Sequence, residues 1–362
     1  MWRIARSDAF GIIEDETVKK SLGRYFAVLQ DEKIAKFILA KKLPAKFNES
    51  DQLEKLWKEH AERTDCFRTF ERDFDDGKDL NLIQRPKRSY FDLKIEIANR
   101  ILQSCHFCTR RCSVNRLTSG LGYCGCGKMV SVSSIFPHMG EEPELVPSGT
   151  IFTMGCTIRC RHCQNWKISQ WKEDGTTYKP EDLAREIEQL RRAGCRNANL
   201  VGGEPTAWLK QWLETFKYVD LNVPVVWNSN SYYSIETARL LDAFVDVYLL
   251  DFKYGPKDCG ERISEAPDYW EVCTRNHLEA KRNGELIIRV LVLPRHLECC
   301  TKPILNWIAE KLGTETRVNL LFQYHPEWRA REIPELRRRL TQEEMKKAVQ
   351  LAEEAGLKNF IT

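Results

Sequence analysis

From Gly149 onward the chain alternates short apolar runs with longer amphipathic stretches. The apolar runs cover residues 151–154, 198–201, 224–227, 245–250, 286–292 and 318–322. Between and after them, residues 180–193, 207–217, 235–244, 269–283, 303–312 and 341–356 carry apolar side chains at helical spacing. Short apolar runs bounded by turn residues predict buried strands, and a strict strand–helix alternation predicts a parallel sheet with crossover helices. Six such units predict an α/β fold, an incomplete (β/α)6 TIM-like barrel over residues 148–362. In folds of this kind chemistry gathers at the carboxyl ends of the strands.

The first hundred residues have a different texture. Residues 17–42 place Leu22, Tyr25, Phe26, Leu29, Ile34, Phe37 and Ile38 on one side, which predicts a helix ended by Pro44. A second helical stretch runs near residues 51–62, and the charged segment 73–88, with Gly77 and Pro86, reads as a linker. Residues 1–100 are therefore expected to form a mostly helical extension. Residues 101–147, rich in cysteine and glycine with little helical signal, are expected to form a metal-binding module.

Charge narrows the function classes. The 362 residues carry 56 basic and 52 acidic groups, a net +4. This near balance argues against a nucleic-acid partner, which calls for a one-sided basic field. No apolar run reaches the length that spans a bilayer. The opening residues, Met1-Trp2-Arg3-Ile4 followed by Arg6 and Asp8, lack the apolar stretch of a signal peptide. The expected location is cytoplasmic, without a membrane partner. In that compartment thiols stay reduced, so clustered cysteines point to metal rather than to disulfides. Eight of the 14 cysteines fall between Cys105 and Cys163.

The sharpest cluster follows the first predicted barrel strand. Cys156, Cys160 and Cys163 have the spacing C-x3-C-x2-C. Thiolates hold iron–sulfur clusters, and three of them leave one iron of a cubane without a protein ligand. An open position is what a catalytic metal needs and a structural metal lacks. The plain alternative is a zinc or cluster site whose fourth ligand lies elsewhere.

This loop resembles that of the radical S-adenosylmethionine (SAM) superfamily. The resemblance implies a [4Fe-4S] cluster whose open iron chelates SAM and cleaves it reductively to a 5′-deoxyadenosyl radical for hydrogen abstraction. It also implies an external electron donor such as reduced flavodoxin or ferredoxin. His162 stands where the superfamily usually has an aromatic residue. More narrowly, the stretch from about Leu102 to near the carboxyl terminus resembles PflX-type proteins, relatives of pyruvate formate-lyase activating enzymes. That likeness includes Cys105-His106-Phe107-Cys108, Gly122-Tyr123-Cys124, Glu141-Glu142-Pro143 and Asn165-Trp166. It implies a glycyl-radical activase acting on a protein substrate; a small molecule or RNA as substrate is the alternative. A non-catalytic, metal-stabilised binding protein is the alternative from another class.

Polar residues at the strand ends supply the candidate cofactor contacts. Gly202, Gly203 and Glu204 close the second strand, where the superfamily binds the SAM amino group; a plain strand-to-helix turn with Thr206 as cap is the simpler reading. Asn228, Ser229 and Asn230 follow the third strand, as a surface turn or as a contact to SAM or substrate. Asp251 and Lys253, at i and i+2 after the fourth, face the same side, where bare charge calls for a ligand or countercharge. Arg289 lies inside the apolar fifth strand and requires an anion, either the SAM carboxylate or a structural Asp or Glu. His325, after the sixth, is a candidate for adenine or substrate contact.

Cys105, Cys108, Cys112 and Cys124 are close enough in sequence to close a second site, for zinc or iron–sulfur, with Cys126 as a spare. Cys66, Cys195, Cys259, Cys273, Cys299 and Cys300 read as scattered apolar residues. Cys299 and Cys300 are adjacent, an arrangement expected to chelate one metal poorly.

Overall fold

A computed structural model describes residues 6–362; the first five, on which the leader reading partly rests, lie outside the described residues. Nine strands form one sheet: β1 (Ser131–His138), β2 (Ser148–Thr153), β3 (Thr176–Thr177), β4 (Ala198–Gly202), β5 (Val225–Ser229), β6 (Val247–Phe252), β7 (Glu285–Leu291), β8 (Arg317–Leu321) and β9 (Phe360–Ile361). Their order is β3-β1-β2-β4-β5-β6-β7-β8-β9. From β2 to β9 every pairing is parallel, while β1 runs antiparallel to β2 and β3. Sheet ends β3 and β9 do not pair with each other, so the barrel is open. The six predicted runs coincide with β2, β4, β5, β6, β7 and β8, and the fold is the expected incomplete barrel. Among the described residues no helix is long and apolar enough to cross a membrane.

The extension departs from its expected outline. The predicted helix over residues 17–42 is two helices, α1 (Glu16–Leu29) and α2 (Lys36–Lys42). Between them Asp31 adopts φ 60°, which stops one helix and turns the chain. The next helix, α3 (Leu53–Asp75), runs well into the expected linker. A fourth, α4 (Tyr90–Gln103), starts at a capping box in which the Ser89 side chain and Asp92 satisfy each other's backbone N–H groups.

Helix α1 plugs the amino-terminal end of the barrel. Its Val18, Leu22, Tyr25 and Phe26 form a buried cluster with Val226, Val247, Leu249 and Ile287 of the central strands. The helix is kinked at Leu22 (φ −134°), which frees backbone N–H groups one turn later. Glu285, at the start of β7, accepts from the N–H of Arg24 (2.8 Å) and of Tyr25 (2.6 Å). Burial outweighs these bonds and pushes the Glu285 carboxyl up to about 7. The folded chain therefore keeps a proton that the unfolded chain has already released at its ordinary value of 4.5. Rising pH favours the state with fewer bound protons, so this group's contribution is fully present below 4.5 and is lost as pH climbs toward 7. In Glu285→Gln, urea midpoints measured across that window are expected to fall less with rising pH than in the parent chain.

Candidate functional site

The loop after β2 carries Cys156, Cys160 and Cys163 at the carboxyl end of the sheet, the first two buried and the third partly so. Its course is set by backbone bonds. Arg159 N–H donates to the Ser264 carbonyl (2.8 Å) and Arg161 N–H to that of Ile263 (3.0 Å), anchoring the loop to the helix Cys259–Ser264 after β6. Gly155, at φ 80°, lets the chain leave β2 against the cysteine-rich module; a Cβ there would sit 2.5 Å from the Cys126 sulfur. Glycine at 203 is required by the opposite wall, because a Cβ would lie 2.0 Å from the Gly155 carbonyl oxygen. The Gly202-Gly203 turn and the cysteine loop therefore touch backbone to backbone.

Polar side chains ring the three sulfurs. Asn230 Nδ2 lies 3.5 Å from Cys156 Sγ and donates to Thr157 Oγ1 (3.2 Å). Ser169 Oγ is 3.3 Å from Cys163 Sγ. Burial raises all three thiols, with Cys163 at about 11, while Lys253 opposes the rise at Cys160 and Cys163. Lys253 forms an ion pair with Asp251, so the two charges expected on one face satisfy each other at the barrel mouth. Burial works against the lysine's charge, but Asp251 and the Cys160 and Cys156 sulfurs raise its pKa overall. Once deprotonated, the three sulfurs are soft anionic ligands that suit an iron–sulfur core, and Lys253 offsets part of the negative charge they bring.

Other expected contacts are already engaged by protein. Glu204 is turned inward: it accepts from Thr206 N–H (3.1 Å), Thr206 Oγ1 (2.6 Å), Ser229 Oγ (2.7 Å) and Asn230 N–H (2.8 Å). It thereby ties the turn after β4 to the end of β5. Arg289 is met by protein carboxylates, bidentate to Glu142 (2.7 Å to each oxygen) and also bonded to Glu141, and it donates to Asn228 Oδ1 at 3.1 Å. Burial works against ionisation of Glu141, but Arg289 and His138 hold its carboxyl down at about 2. These groups form a charged layer inside the barrel below the mouth. His325 is half-buried at the rim, with its Nδ1 3.3 Å from Gln164 Nε2 of the cysteine loop.

His162 is buried and its Nε2 lies 2.8 Å from the Tyr254 hydroxyl. Burial, reinforced by Lys253, lowers it to about 4, so the imidazole is neutral at physiological pH. Its ring packs edge-on against Tyr254 and Tyr324. It serves as an aromatic wedge with one hydrogen bond. His162→Phe is expected to lose about 1 kcal/mol of stability in thermal or urea unfolding, the value of one hydrogen bond, and to retain the parent's iron content.

The second cysteine group lies in the module that covers this loop. Cys105, Cys112 and Cys124 stand close enough to Cys108 that, after burial, their fields help push it to about 12. Tyr123 N–H points at Cys112 Sγ (3.4 Å) and Arg116 at Cys105 Sγ (3.7 Å). Cys126 stays with the group: its side chain hydrogen-bonds Cys124, the largest cause of that thiol's fall to about 6, and its sulfur lies 3.7 Å from the Met154 carbonyl. Tyr123 seals the joint: the guanidinium groups of Arg110 and Arg159 stack over its ring at 3.7 and 4.3 Å.

Asn230 belongs to the expected polar run after the third strand. Ser169, Tyr254 and the Glu141–Glu142 pair were not among the expected site residues. They depend on contacts from distant parts of the chain.

Comparison with known proteins bears on this arrangement. The model of the Radical SAM superfamily matches residues 150–308. The chain is 45% identical to the uncharacterized protein MJ0674 of Methanocaldococcus jannaschii over 342 residues, 93% of this chain and 98% of that protein. It is 26% identical to MJ0808 of the same organism over 279 residues, 70% of this chain and 79% of that one. Among solved structures, Streptococcus suis SuiB bound to its precursor peptide SuiA aligns with TM-score 0.42 and 11% identity. That alignment covers 57% of this chain and 46% of SuiB. TYW1 with a lysine-pyruvate adduct aligns with TM-score 0.35 and 15% identity, over 57% of this chain and 73% of that one.

Proposed function

This chain belongs to the radical SAM superfamily, and on that premise we propose that Cys156, Cys160 and Cys163 hold a [4Fe-4S] cluster whose open iron binds SAM. When bound, the cluster and SAM supply one-electron cleavage of the sulfonium and a 5′-deoxyadenosyl radical that abstracts hydrogen. The observation that carries this reading is the set of three cysteines on one loop at the carboxyl end of β2, two buried and one partly so, facing the Asp251–Lys253 pair.

The chain's own residues bind, orient and exclude water. Gly202 and Gly203 let the turn after β4 press against Thr153 and the Gly155 backbone, which brings that turn up to the cysteine loop on the SAM side. Asp251 and Lys253 offer one charge of each sign to the amino and carboxylate groups of SAM. Glu204, Ser229, Asn228 and Arg289 act through their protein partners, holding the ends of β4, β5 and β7 in place. His325 stands at the rim, on the adenine or substrate side. Cys105, Cys108, Cys112 and Cys124 hold a second metal, zinc or iron–sulfur, next to the first. A reduced flavodoxin or ferredoxin supplies the electron.

We read the substrate as a protein, in the manner of glycyl-radical activases. Supporting this, a cleft of about 440 Å³ lies against the end of the cysteine loop, lined by Gln164, Asn165, Trp166, Lys167, Glu173 and Glu327. Trp166 stacks on Trp328 at 4.5 Å beside it. An open aromatic-walled cleft suits an extended chain better than an enclosed small molecule. The test is deuterium transfer. Extract from cells grown on deuterated glycine is split into protein and small-molecule fractions, and each is incubated with reduced enzyme and SAM. Label is expected in 5′-deoxyadenosine from the protein fraction; label from the small-molecule fraction alone contradicts the protein reading.

A further inference from the structure

Three cysteines that the cluster chemistry does not use converge at the barrel mouth. Cys259 opens the short helix after β6, and Cys299 and Cys300 lie in the turn after β7. Their sulfurs all fall within 4.8 Å of one another. The Cys259–Cys299 separation is 4.0 Å and the Cys299–Cys300 separation 3.7 Å. A tetrahedral zinc with Zn–S bonds of about 2.3 Å places its sulfurs about 3.8 Å apart. The three therefore already have the spacing of ligands to one metal.

Adjacent cysteines were expected to chelate poorly, because successive side chains of an α-helix diverge. The backbone removes that obstacle. Leu297–Thr301 is a π-helical turn, in which Thr301 N–H reaches back to the His296 carbonyl (3.2 Å). A wider turn rotates less per residue, so neighbouring side chains diverge less. The opposite loop is brought close by Gly255, where a Cβ would lie 2.0 Å from the Cys299 carbonyl oxygen.

A fourth donor stands at the edge. His296 is buried and hydrogen-bonded to Cys259. Its Nδ1 lies 2.7 Å from the Pro294 carbonyl, which fixes the proton on that nitrogen and leaves the Nε2 lone pair to accept from Arg262 or, in its place, a metal. Metal-binding histidines are oriented in this way. Arg262, 3.3 Å from Nε2 and hydrogen-bonded to Cys259, supplies positive charge.

We propose that Cys259, Cys299 and Cys300, with His296 closing the fourth position, bind one soft divalent cation of the zinc type. Binding releases to solvent any protons that the three sulfurs and the His296 Nε2 hold and changes no oxidation state. One zinc, three thiolates and a neutral imidazole carry a net charge of −1, beside the Arg262 guanidinium, which also pairs with Glu335 at 2.7 Å. The site clamps the loops after β6 and β7 to each other, and the β6 loop is the one that anchors the cluster loop through Ile263 and Ser264.

The test uses the full chain purified without oxygen. Zinc is counted by mass spectrometry, and after chelation Co²⁺ alone is titrated in as the spectroscopic probe. Cys259→Ser and Cys299→Ser are each expected to lose one equivalent of zinc and the matching cobalt–thiolate absorption. The exposed Cys66→Ser serves as the control and retains both. His296→Gln, which leaves all three sulfurs, is expected to weaken Co²⁺ binding at least tenfold and guards against variants that fail to fold. Zinc absorption-edge data are expected to fit three sulfurs and one nitrogen in the share lost by Cys299→Ser. Unchanged zinc and cobalt binding in both folded serine variants would overturn the proposal. So would a disulfide among these three cysteines in protein never exposed to oxygen. Iron bound at Cys156, Cys160 and Cys163 is counted in parallel, so failure here is distinguishable from failure of the cluster reading.

Discussion

Cys160→Ala is expected to fold as the parent does and to lose the iron held at the mouth of the barrel. The loop's course does not depend on the sulfur. Arg159 and Arg161 are bonded through backbone to Ser264 and Ile263, and Cys163 N–H donates to the Cys160 carbonyl (3.2 Å). Alanine keeps all of these bonds, so the circular dichroism spectrum is expected to be unchanged. The metal is another matter. With one thiolate gone, two protein ligands remain for a cubane that already has only three, and no replacement sulfur lies on the loop. Removing even an outer-shell partner of a metal costs about 10- to 100-fold in affinity or activity, so losing a ligand is expected to cost at least about 100-fold in SAM cleavage. The iron count and the 5′-deoxyadenosine rate check it together. A variant with the parent's iron content contradicts the assignment.

The second large effect is at Gly203. The atoms a Cβ would meet are the Gly155 carbonyl oxygen at 2.0 Å, its carbon at 2.7 Å and the Ser169 Cα at 2.9 Å. All are backbone, so no side-chain rotation relieves the clash. Overpacking of this kind costs typically 1–3 kcal/mol, and Gly203→Ala is expected at the upper end, about 3 kcal/mol. The strain falls between the turn after β4 and the cysteine loop, so cluster loading and SAM affinity should drop along with the urea midpoint. Gly23→Ala provides the contrast. Nothing lies within 4 Å of that Cβ and the residue sits in helix α1. Alanine is better than glycine there by roughly 0.5–1 kcal/mol, so that variant is expected to gain stability. Equal losses in both variants would mean that the close approach at Gly203 is unimportant.

What the sequence made legible follows from how local each signal is. The six central strands are buried on both faces, so each appears as a continuous apolar run, and all six were readable. Strand β1 lies next to the open edge and reads Ser-Val-Ser-Ser-Ile-Phe-Pro-His; half-exposed, with Pro137 inside it, it gives no such run. Helix α4 was missed although Ser89 and Asp92 form its capping box and Leu93, Ile97 and Ile101 mark its buried face. The preceding charged stretch obscured where it begins. The break between α1 and α2 rests on one residue in the left-handed region, which periodicity does not register.

The site divides along the same line. Cys156, Cys160 and Cys163 are eight residues from first to last and were legible as a spacing. Arg289 announced that it needed an anion, but its partners Glu141 and Glu142 lie 148 and 147 residues away. The meeting of Cys259 with Cys299 spans 40 residues and depends on a π-turn, so neither spacing nor composition could reveal it.

The central claim is that the three-cysteine loop turns over SAM. The most direct measurement takes anaerobically reconstituted protein with its iron and sulfide counted, reduces it with dithionite, adds SAM and quantifies 5′-deoxyadenosine. The account predicts that nucleoside from the parent chain and none above background from Cys156→Ala. A parent chain fully loaded with iron that leaves SAM intact would contradict it.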